Sequence, residues 1–265
     1  MAKASFGFPV GGSFGDYSMY KMKGVEKMII RSKGGASKER IKTDPVFETV
    51  RYNNSEFAGC GKAAANFRRA FFPISHLADY NYTGYLVTLS KIIQKLDTLS
   101  LQGQRSILFS RNRHIMHGFS FNTQRTFDSL IRNTTMFAFN RNELKASVIL
   151  PQLFPKVNII NTWELSWFRL VVVLGLVPDM IYSEGGYVQA TQQVLPDPMR
   201  FITEWQSTNV VAQEREVVLK LPGNTALDNS VSMVLSIGAE FGRALSDTVI
   251  YPVKYSGSAK ILSMG

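Results

Sequence analysis

A change in residue pattern near residue 136 constrains the fold of this chain more than any other feature. From there onward, short runs of apolar or alternating residues are separated by Pro and Gly. Such runs predict β-strands, and the lack of helical patterns between them argues against a parallel βαβ sheet. We therefore predict an antiparallel β-sandwich over 136–265. Its strands are predicted at 145–150, 165–176, 201–206, 213–221, 231–241 and 249–255.

The preceding segment, 55–135, carries helical patterns. Ser55 is a suitable N-cap for a helix that includes the helix-forming Ala63–Ala65 run. Pro73 interrupts that pattern and predicts the start of a second helix. A third helix is predicted over 104–116. The clearest helical period is carried on one face by Leu86, Leu89, Ile92, Ile93 and Leu96.

The first 54 residues are rich in Gly and aromatic residues. Two extended runs, Tyr17–Met22 and Lys27–Ser32, flank a turn that contains Gly24, which predicts a β-hairpin. The Gly11–Gly15 string has neither a dinucleotide-binding nor a Walker A pattern, so we interpret it as flexible turn material. A two-stranded hairpin is not stable alone and must dock on the rest of the chain or on a neighbour.

A polar link joins the hairpin to the helices. Asp44 is placed to cap a short helix over Val46–Tyr52, with Pro45 at its first position. A local network of ion pairs is predicted here, in which the cations and acids are Arg40, Asp44, Glu48, Arg51 and Glu56. Such a network would fix how the hairpin leaves the helical region, or would cross to a neighbouring subunit.

Together these patterns predict an α+β fold in three parts. An N-terminal β-hairpin arm occupies 1–54, a small helical region occupies 55–135, and the antiparallel β-sandwich occupies 136–265. With 45% hydrophobic residues, the chain is long enough to bury a sizeable core.

The net charge of +10 is unevenly distributed. Residues 1–150 carry +12 and residues 151–265 carry −2. A basic front half can bind polyanions such as nucleic acid. It can equally bind the faintly acidic half of another copy, head to tail, because opposite potentials favour that encounter.

Two stretches interleave cations with aromatic rings and are the candidate contact sites. Their residues are Tyr17, Tyr20, Lys21, Lys23, Lys27, Arg31 and Lys33 in the first stretch, and Arg68 and Arg69 in the second. Cations for phosphates together with rings for stacking suit single-stranded nucleic acid. The same pattern occurs where Lys and Arg border an apolar docking surface, so self-association is the other interpretation.

Residues with reactive side chains are few. His114 and His117 are three residues apart, but the nearest acid is Asp128 and the surroundings are basic, which disfavours a metal cation. Glu214 and Glu216 share one face of a predicted strand, where acids are usually solvated. We therefore predict no metal, no cofactor and no catalytic site, with an enzyme kept as a third hypothesis.

Cys60, the only cysteine, lies between two glycines and is interpreted as a packed thiol. The N-terminal residues lack the apolar segment of a Sec-type signal, so we expect synthesis in the cytoplasm. The longest apolar run, Leu170–Val177, is too short for a membrane span.

Several N-terminal segments together form a distinctive pattern: Gly15–Lys21, Arg31–Gly35, Arg40–Ile41, Asp44–Phe47, Thr49–Asn53 and Glu56–Phe57. This pattern resembles a family of uncharacterised proteins common in Bacteroidota genomes. Gly118–Asn122 and Leu235–Phe241 are similar to later elements of that family. The resemblance brings no activity and implies a free-standing protein.

The sequence thus favours a non-enzymatic structural subunit that self-associates into a filament, tube or shell. The supporting features are the polarised charge, an arm that cannot fold alone, and a content of charged residues of only 19%. The alternative is a nucleic-acid-binding protein that uses the basic half.

Overall fold

A computed structural model describes residues 2–4, 11–22, 25–223, 226–246 and 248–265. They form two compact units, Met1–Arg51 and Tyr52–Gly265. Both helices and antiparallel sheets are present, so the predicted α+β class is confirmed.

The first unit contains a four-stranded antiparallel sheet. Its strands are β1 (Ala2–Ala4), β2 (Gly12–Phe14), β3 (Tyr17–Tyr20) and β4 (Met28–Ser32), in the order β1-β4-β3-β2. The predicted hairpin is the β3–β4 pair, and its turn residue Gly24 lies outside the described residues.

The Gly-rich string contains a strand, contrary to the prediction of flexible turn material alone. Gly12–Phe14 pairs with β3, with Phe14 opposite Tyr17. Gly15 has a φ of 51°, which glycine adopts without strain, and it forms with Asp16 a two-residue turn between the strands.

The predicted cap at Asp44 is confirmed. Its side chain accepts a hydrogen bond from the Val46 backbone N–H at 3.0 Å, and Pro45 begins a 3-10 turn over Pro45–Phe47. A short helix, α1 (Lys38–Thr43), precedes it.

The next helix, α2, runs over Glu48–Ala70, so the short helix predicted over Val46–Tyr52 and the helix predicted to begin at Ser55 are one continuous helix. Ser55 lies inside α2 and is not an N-cap. Its hydroxyl donates to the Gly103 carbonyl at 2.7 Å. The helix continues through Ser55 because no Pro occurs between residues 46 and 72. One face of the helix is also closely packed, with the Gly59 backbone against the Tyr187 ring.

The second helix predicted to start at Pro73 is a short 3-10 turn over Phe72–Leu77, with Pro73 as its second residue. The helix with the clearest predicted period is α3 (Thr83–Lys95). Leu86, Leu89 and Ile93 are buried, whereas Ile92 and Leu96 are exposed, so the apolar face is narrower than predicted.

The prediction of a helix over 104–116 is wrong. This segment holds two short 3-10 turns, Phe109–Arg111 and Arg113–Met116. Ile107 instead exchanges backbone hydrogen bonds with Met180, and these long-range bonds compete with helix formation. A one-turn helix, α4 (Phe127–Leu130), follows.

Strands make up most of the remaining part of the second unit that the structure describes. They are β5 (Met136–Asn140), β6 (Lys145–Leu150), β7 (Trp167–Pro178), β8 (Met180–Ser183), β9 (Gly186–Gln189), β10 (Met199–Ile202), β11 (Gln206–Ser207), β12 (Arg215–Lys220), β13 (Val231–Ala244) and β14 (Ile250–Met264). Most lie close to the predicted runs. The pattern did not predict β5, β8, β9 or the extension of β14 beyond Tyr255.

The strands form a central sheet with a core on each face. Its order is β10-β7-β13-β14, with β11 also on β7, and a second sheet has the order β12-β6-β5. All these pairs are antiparallel. Alternate residues of β7 enter different cores: Val171 and Val173 pack with the helices, and Val172 and Leu174 pack with the second sheet. Burial on both faces explains the continuous apolar run in β7.

The end of α2 lies directly on β7. A Cβ built on Gly175 would lie 2.2 Å from the Ala70 carbonyl oxygen. Helix and sheet therefore touch backbone to backbone at this point, which only a glycine permits.

Candidate functional site

The N-terminal sheet separates the predicted contact residues onto two faces. Tyr17 is paired with Phe14 on one face, and these side chains are 54% and 78% exposed. Tyr20 and Arg31 lie on the opposite face, where the Arg31 guanidinium is 5.5 Å from the centre of the Tyr20 ring. One face is thus aromatic and the other carries a cation–π pair.

The predicted lysines of this unit differ in their environments. Lys33 Nζ donates to the Gly15 carbonyl at 2.8 Å, which ties it to the β2–β3 turn. Lys21 and Lys27 are exposed, and Lys23 lies outside the described residues.

Few of the described residues of the first unit are buried. Among residues 11–22 and 25–51, Met28 and Ile29 are the only buried residues, and α1 buries none of its side chains. The sheet of this unit therefore leaves most of its described apolar side chains partly or fully accessible within a single chain.

Arg68 and Arg69 lie in the second unit, in the last turn of α2. They line a cleft of about 660 Å³ together with Phe72, Tyr82 and Asp197. Arg69 Nη2 is 3.1 Å from Asp197 Oδ1, and both side chains are largely exposed. Burial raises the pKa of Tyr82, and its contact with Arg68 opposes that rise.

The two phenylalanines after these arginines have opposite environments. Phe71 is fully buried, with its ring edge against Phe121 at 4.7 Å between centroids. Phe72 is 73% exposed and lines the same cleft as Arg68 and Arg69. Only Phe72 of this pair is available to stack on a ligand.

The predicted ion-pair network around Asp44 forms only in part. Arg40 Nε binds Asp44 Oδ2 at 3.0 Å. Arg51 donates to the backbone carbonyls of Ile41 and Asp44, at 2.9 and 2.8 Å. Glu56 belongs to a different cluster, because it lies on the face of α2 that is buried in the second unit.

Glu56 is the fully buried centre of a charged cluster that sequence reasoning missed. Its carboxylate accepts hydrogen bonds from Lys91 Nζ, from Arg105 Nε at 2.7 Å and from the Gly103 N–H at 2.9 Å. Burial alone would raise the pKa of Glu56, but these donors outweigh it and hold the pKa below its ordinary value. Both carboxylate oxygens are bound internally, so the cluster joins α2 to α3 and the following loop.

Cys60 lies beside this cluster as a buried thiol, which confirms the predicted packing role. Its Sγ donates to Gln94 Oε1 at 3.4 Å. Burial raises the pKa of Cys60 to about 11, so the thiol stays protonated near neutral pH.

His76 and Glu240 form a second pair that the sequence did not indicate. His76 Nε2 lies 3.0 Å from Glu240 Oε1, and Arg169 Nε donates to Glu240 Oε2 at 2.5 Å. Arg169 also lies 4.3 Å from the centre of the Trp205 ring. Burial would raise the pKa of Glu240, but the bonds from His76 and Arg169 hold it below its ordinary value.

Glu240→Gln is expected to lower the free energy of unfolding at pH 7 by about 1.5–3 kcal/mol. A carboxyl whose pKa is lowered in the folded state stabilises the fold above its unfolded-state pKa and loses that effect as pH falls through its folded-state pKa. The difference between the variant and the wild type should therefore shrink below about pH 4.5. Urea unfolding at a series of pH values measures it, with exposed Glu216→Gln as the control. A difference that does not change with pH would contradict the linkage.

The remaining histidines do not form a metal centre in the described ranges. His117 and Asp128 line a cleft of about 530 Å³, but the Asp128 carboxylate is bound by Lys260 Nζ at 2.5 Å. Across the described residues, no group of three or more His, Cys, Asp or Glu side chains is arranged to hold a metal ion. Glu214 and Glu216 are both exposed, as predicted.

The segment Gly118–Asn122, part of the resemblance described above, has a structural role. The Asn122 amide is buried and binds Leu77 O at 2.8 Å, Ser258 Oγ at 2.9 Å and the Ala259 N–H at 3.0 Å. The backbone of Gly118, Phe119 and Phe121 also bonds to Ile261 and Ala259 of β14, at the edge of the central sheet. The resemblance itself stays a prediction.

None of the helices in the described part of the chain combines the length and the apolar character needed to cross a membrane. Comparisons with protein-family models, with curated proteins and with solved structures each found no match to this chain.

Proposed function

We propose that the protein is a structural subunit that self-associates into a repetitive assembly, such as a filament, tube or shell, through its N-terminal sheet. The observation that carries this proposal is the small number of buried side chains among the described residues of the first unit. A sheet of short strands with two buried residues among those described does not bury enough apolar surface to be stable by itself. A second copy of the chain would supply the missing contacts.

The aromatic face of this sheet is the proposed contact surface. Phe14 and Tyr17 lie side by side on β2 and β3, and aromatic side chains are common anchors of protein interfaces. Strand β2 is at the edge of the sheet, where backbone groups can pair with another chain.

The charge distribution supports head-to-tail contacts in particular. The excess of +12 lies before residue 151 and the remainder of the chain carries −2. When the basic part of one copy contacts the acidic part of another, each copy still has one of these two surfaces unoccupied. Further copies can therefore add in the same way, which produces a ring or a filament.

The double variant Phe14→Ser/Tyr17→Ser is expected to convert large particles of the full-length protein into monomers. Losing one aromatic anchor typically weakens a contact by about 2 kcal/mol or more, roughly thirtyfold. Light scattering after size-exclusion chromatography, together with negative-stain electron microscopy, measures the change.

The matched control is Leu99→Ser/Leu101→Ser, which removes two apolar side chains of the second unit that are 94% and 74% exposed. It should leave particle size unchanged. Wild-type protein that stays monomeric over a wide concentration range would overturn the proposal, as would particles that survive the loss of both aromatic residues.

A further inference from the structure

The cleft at the end of α2 has a rigid frame. The Ala70 carbonyl is in backbone contact with Gly175 of the central sheet, so the last helical turn cannot move independently of that sheet. Arg68 and Arg69 belong to this turn and are both exposed. Their backbone positions are therefore set before any ligand arrives, which lowers the entropic cost of binding.

Phe72 presents its ring to solvent from an equally ordered position. Its neighbour Phe71 is anchored in the core, and Pro73 restricts the backbone that follows. The Phe72 carbonyl also accepts a hydrogen bond from Ser75 Oγ at 2.7 Å. The backbone that carries this exposed ring is therefore fixed, which lowers the entropic cost of using the ring as a stacking platform.

The charge of the cleft favours an anion. Arg68 and Arg69 are opposed by a single carboxylate, Asp197, among the described residues that line it. The Arg69–Asp197 pair is largely exposed, and such pairs contribute little to stability. An incoming anion can therefore take over the guanidinium of Arg69 at small cost. The volume of about 660 Å³ is within the range of ligand sites.

We propose that this cleft binds a segment of single-stranded nucleic acid, with a backbone phosphate held by Arg68 and Arg69 and the adjacent base stacked on Phe72. Arginine matches phosphate geometry through paired N–H donors. An aromatic ring accepts any base because every base has a flat face. An acidic peptide could use the two guanidinium groups, but its carboxylates give no role to the exposed ring. This site is separate in its residues from the proposed self-association surface.

Binding can be tested with the full-length protein and a fluorescently labelled oligothymidine, by anisotropy over a range of salt concentrations. For Arg68→Ala/Arg69→Ala, the slope of log affinity against log salt should shrink by about 0.7, since each phosphate neutralised on a single strand contributes about 0.7 and the two guanidinium groups hold one phosphate. For Phe72→Ala, affinity should fall about fivefold or more with the slope unchanged, because stacking does not release counterions.

Two controls separate this site from other effects. Arg111→Ala/Arg132→Ala removes the same charge from exposed positions elsewhere in the second unit and should leave the salt slope near that of the wild type. Phe14→Ser/Tyr17→Ser should still bind the oligonucleotide, so a failure of self-association and a failure of this site can be told apart. Unchanged thermal unfolding of each variant confirms that the fold is intact.

Three results would overturn the proposal. The first is no binding at low salt. The second is an equal loss in the Arg111/Arg132 control, which would indicate a diffuse attraction to the basic half of the chain. The third is wild-type affinity in Phe72→Ala together with full competition by polyglutamate, which would assign the cleft to acidic peptides.

Discussion

Replacing Glu56 with Ala is expected to lower the free energy of unfolding by about 3–5 kcal/mol. The substitution leaves the head groups of Lys91 and Arg105 without their shared carboxylate, and the Gly103 N–H without its acceptor. Lys91 Nζ keeps its bond to Gln94 Oε1 at 3.1 Å, so the cost comes mainly from the Arg105 guanidinium and the Gly103 N–H. A polar group that is buried without a partner keeps its full desolvation penalty. Urea unfolding followed by circular dichroism measures the change.

Two further variants test whether the lost stability comes from the charge of Glu56 and its buried contacts. Glu56→Gln keeps the size of the side chain and one acceptor but removes the charge, so its stability should lie between those of the wild type and Glu56→Ala. Glu216→Ala removes an exposed acid and should change stability by about 0.5 kcal/mol or less. A Glu56→Ala variant as stable as Glu216→Ala would show that the cluster does not stabilise the fold.

Gly175→Ala is expected to have an effect of similar size, about 3 kcal/mol or more, at the upper end of what overpacking usually costs. The added methyl group would lie 2.2 Å from the Ala70 carbonyl oxygen and 2.8 Å from its carbonyl carbon. Both atoms are backbone, so no side-chain rotation relieves the overlap. Either the last turn of α2 or strand β7 must move, and each is packed in the core.

Gly61→Ala is the matched control for this prediction. Gly61 lies inside α2, and a Cβ built on it meets nothing within 4 Å. Alanine there should stabilise the protein by roughly 0.5–1 kcal/mol through its better helix propensity. Thermal unfolding measures both variants. A melting temperature of Gly175→Ala at or above that of the wild type would contradict the backbone contact.

The strands show where local pattern is sufficient for prediction. Strand β6 begins and ends at the predicted residues, because alternate side chains from Lys145 to Leu150 are buried and the period of two is written in the sequence. The same rule misses the second half of β14. There the buried residues include Ser256 and Ser258, whose polar side chains bind Phe241 O and Asn122 Oδ1 and so break the apolar alternation.

The helical region shows how long-range contacts override local pattern. Residues 104–116 have helical character, yet Ile107 pairs with Met180, and Ser110 binds the buried carboxylate of Asp179 through its N–H at 2.8 Å. Local propensity for a helix is weak compared with several tertiary hydrogen bonds. In contrast, α3 forms as predicted because its own apolar stripe faces the core.

The candidate sites divide in the same way. Residue pattern identified Arg68 and Arg69 as cations near aromatic rings, but it could not distinguish Phe71 from Phe72. Which ring is buried depends on Tyr82 and Phe121, which are distant in the chain. The Glu56 cluster had no local signal at all, since its partners Lys91 and Arg105 are 35 and 49 residues away.

Residue order by itself determined the α+β class, the antiparallel strands, the hairpin pairing of β3 with β4 and the uneven distribution of charge. These properties depend on periodicity, turn residues and composition, which neighbouring positions carry. Tertiary structure alone decided that the central sheet is buried on both faces, that the Glu56 carboxylate is paired with two distant cations, and that exposed Phe72 lines the same cleft as Arg68 and Arg69. Each of these depends on which distant segments meet in space, and that is settled by burial and hydrogen bonding over the whole unit.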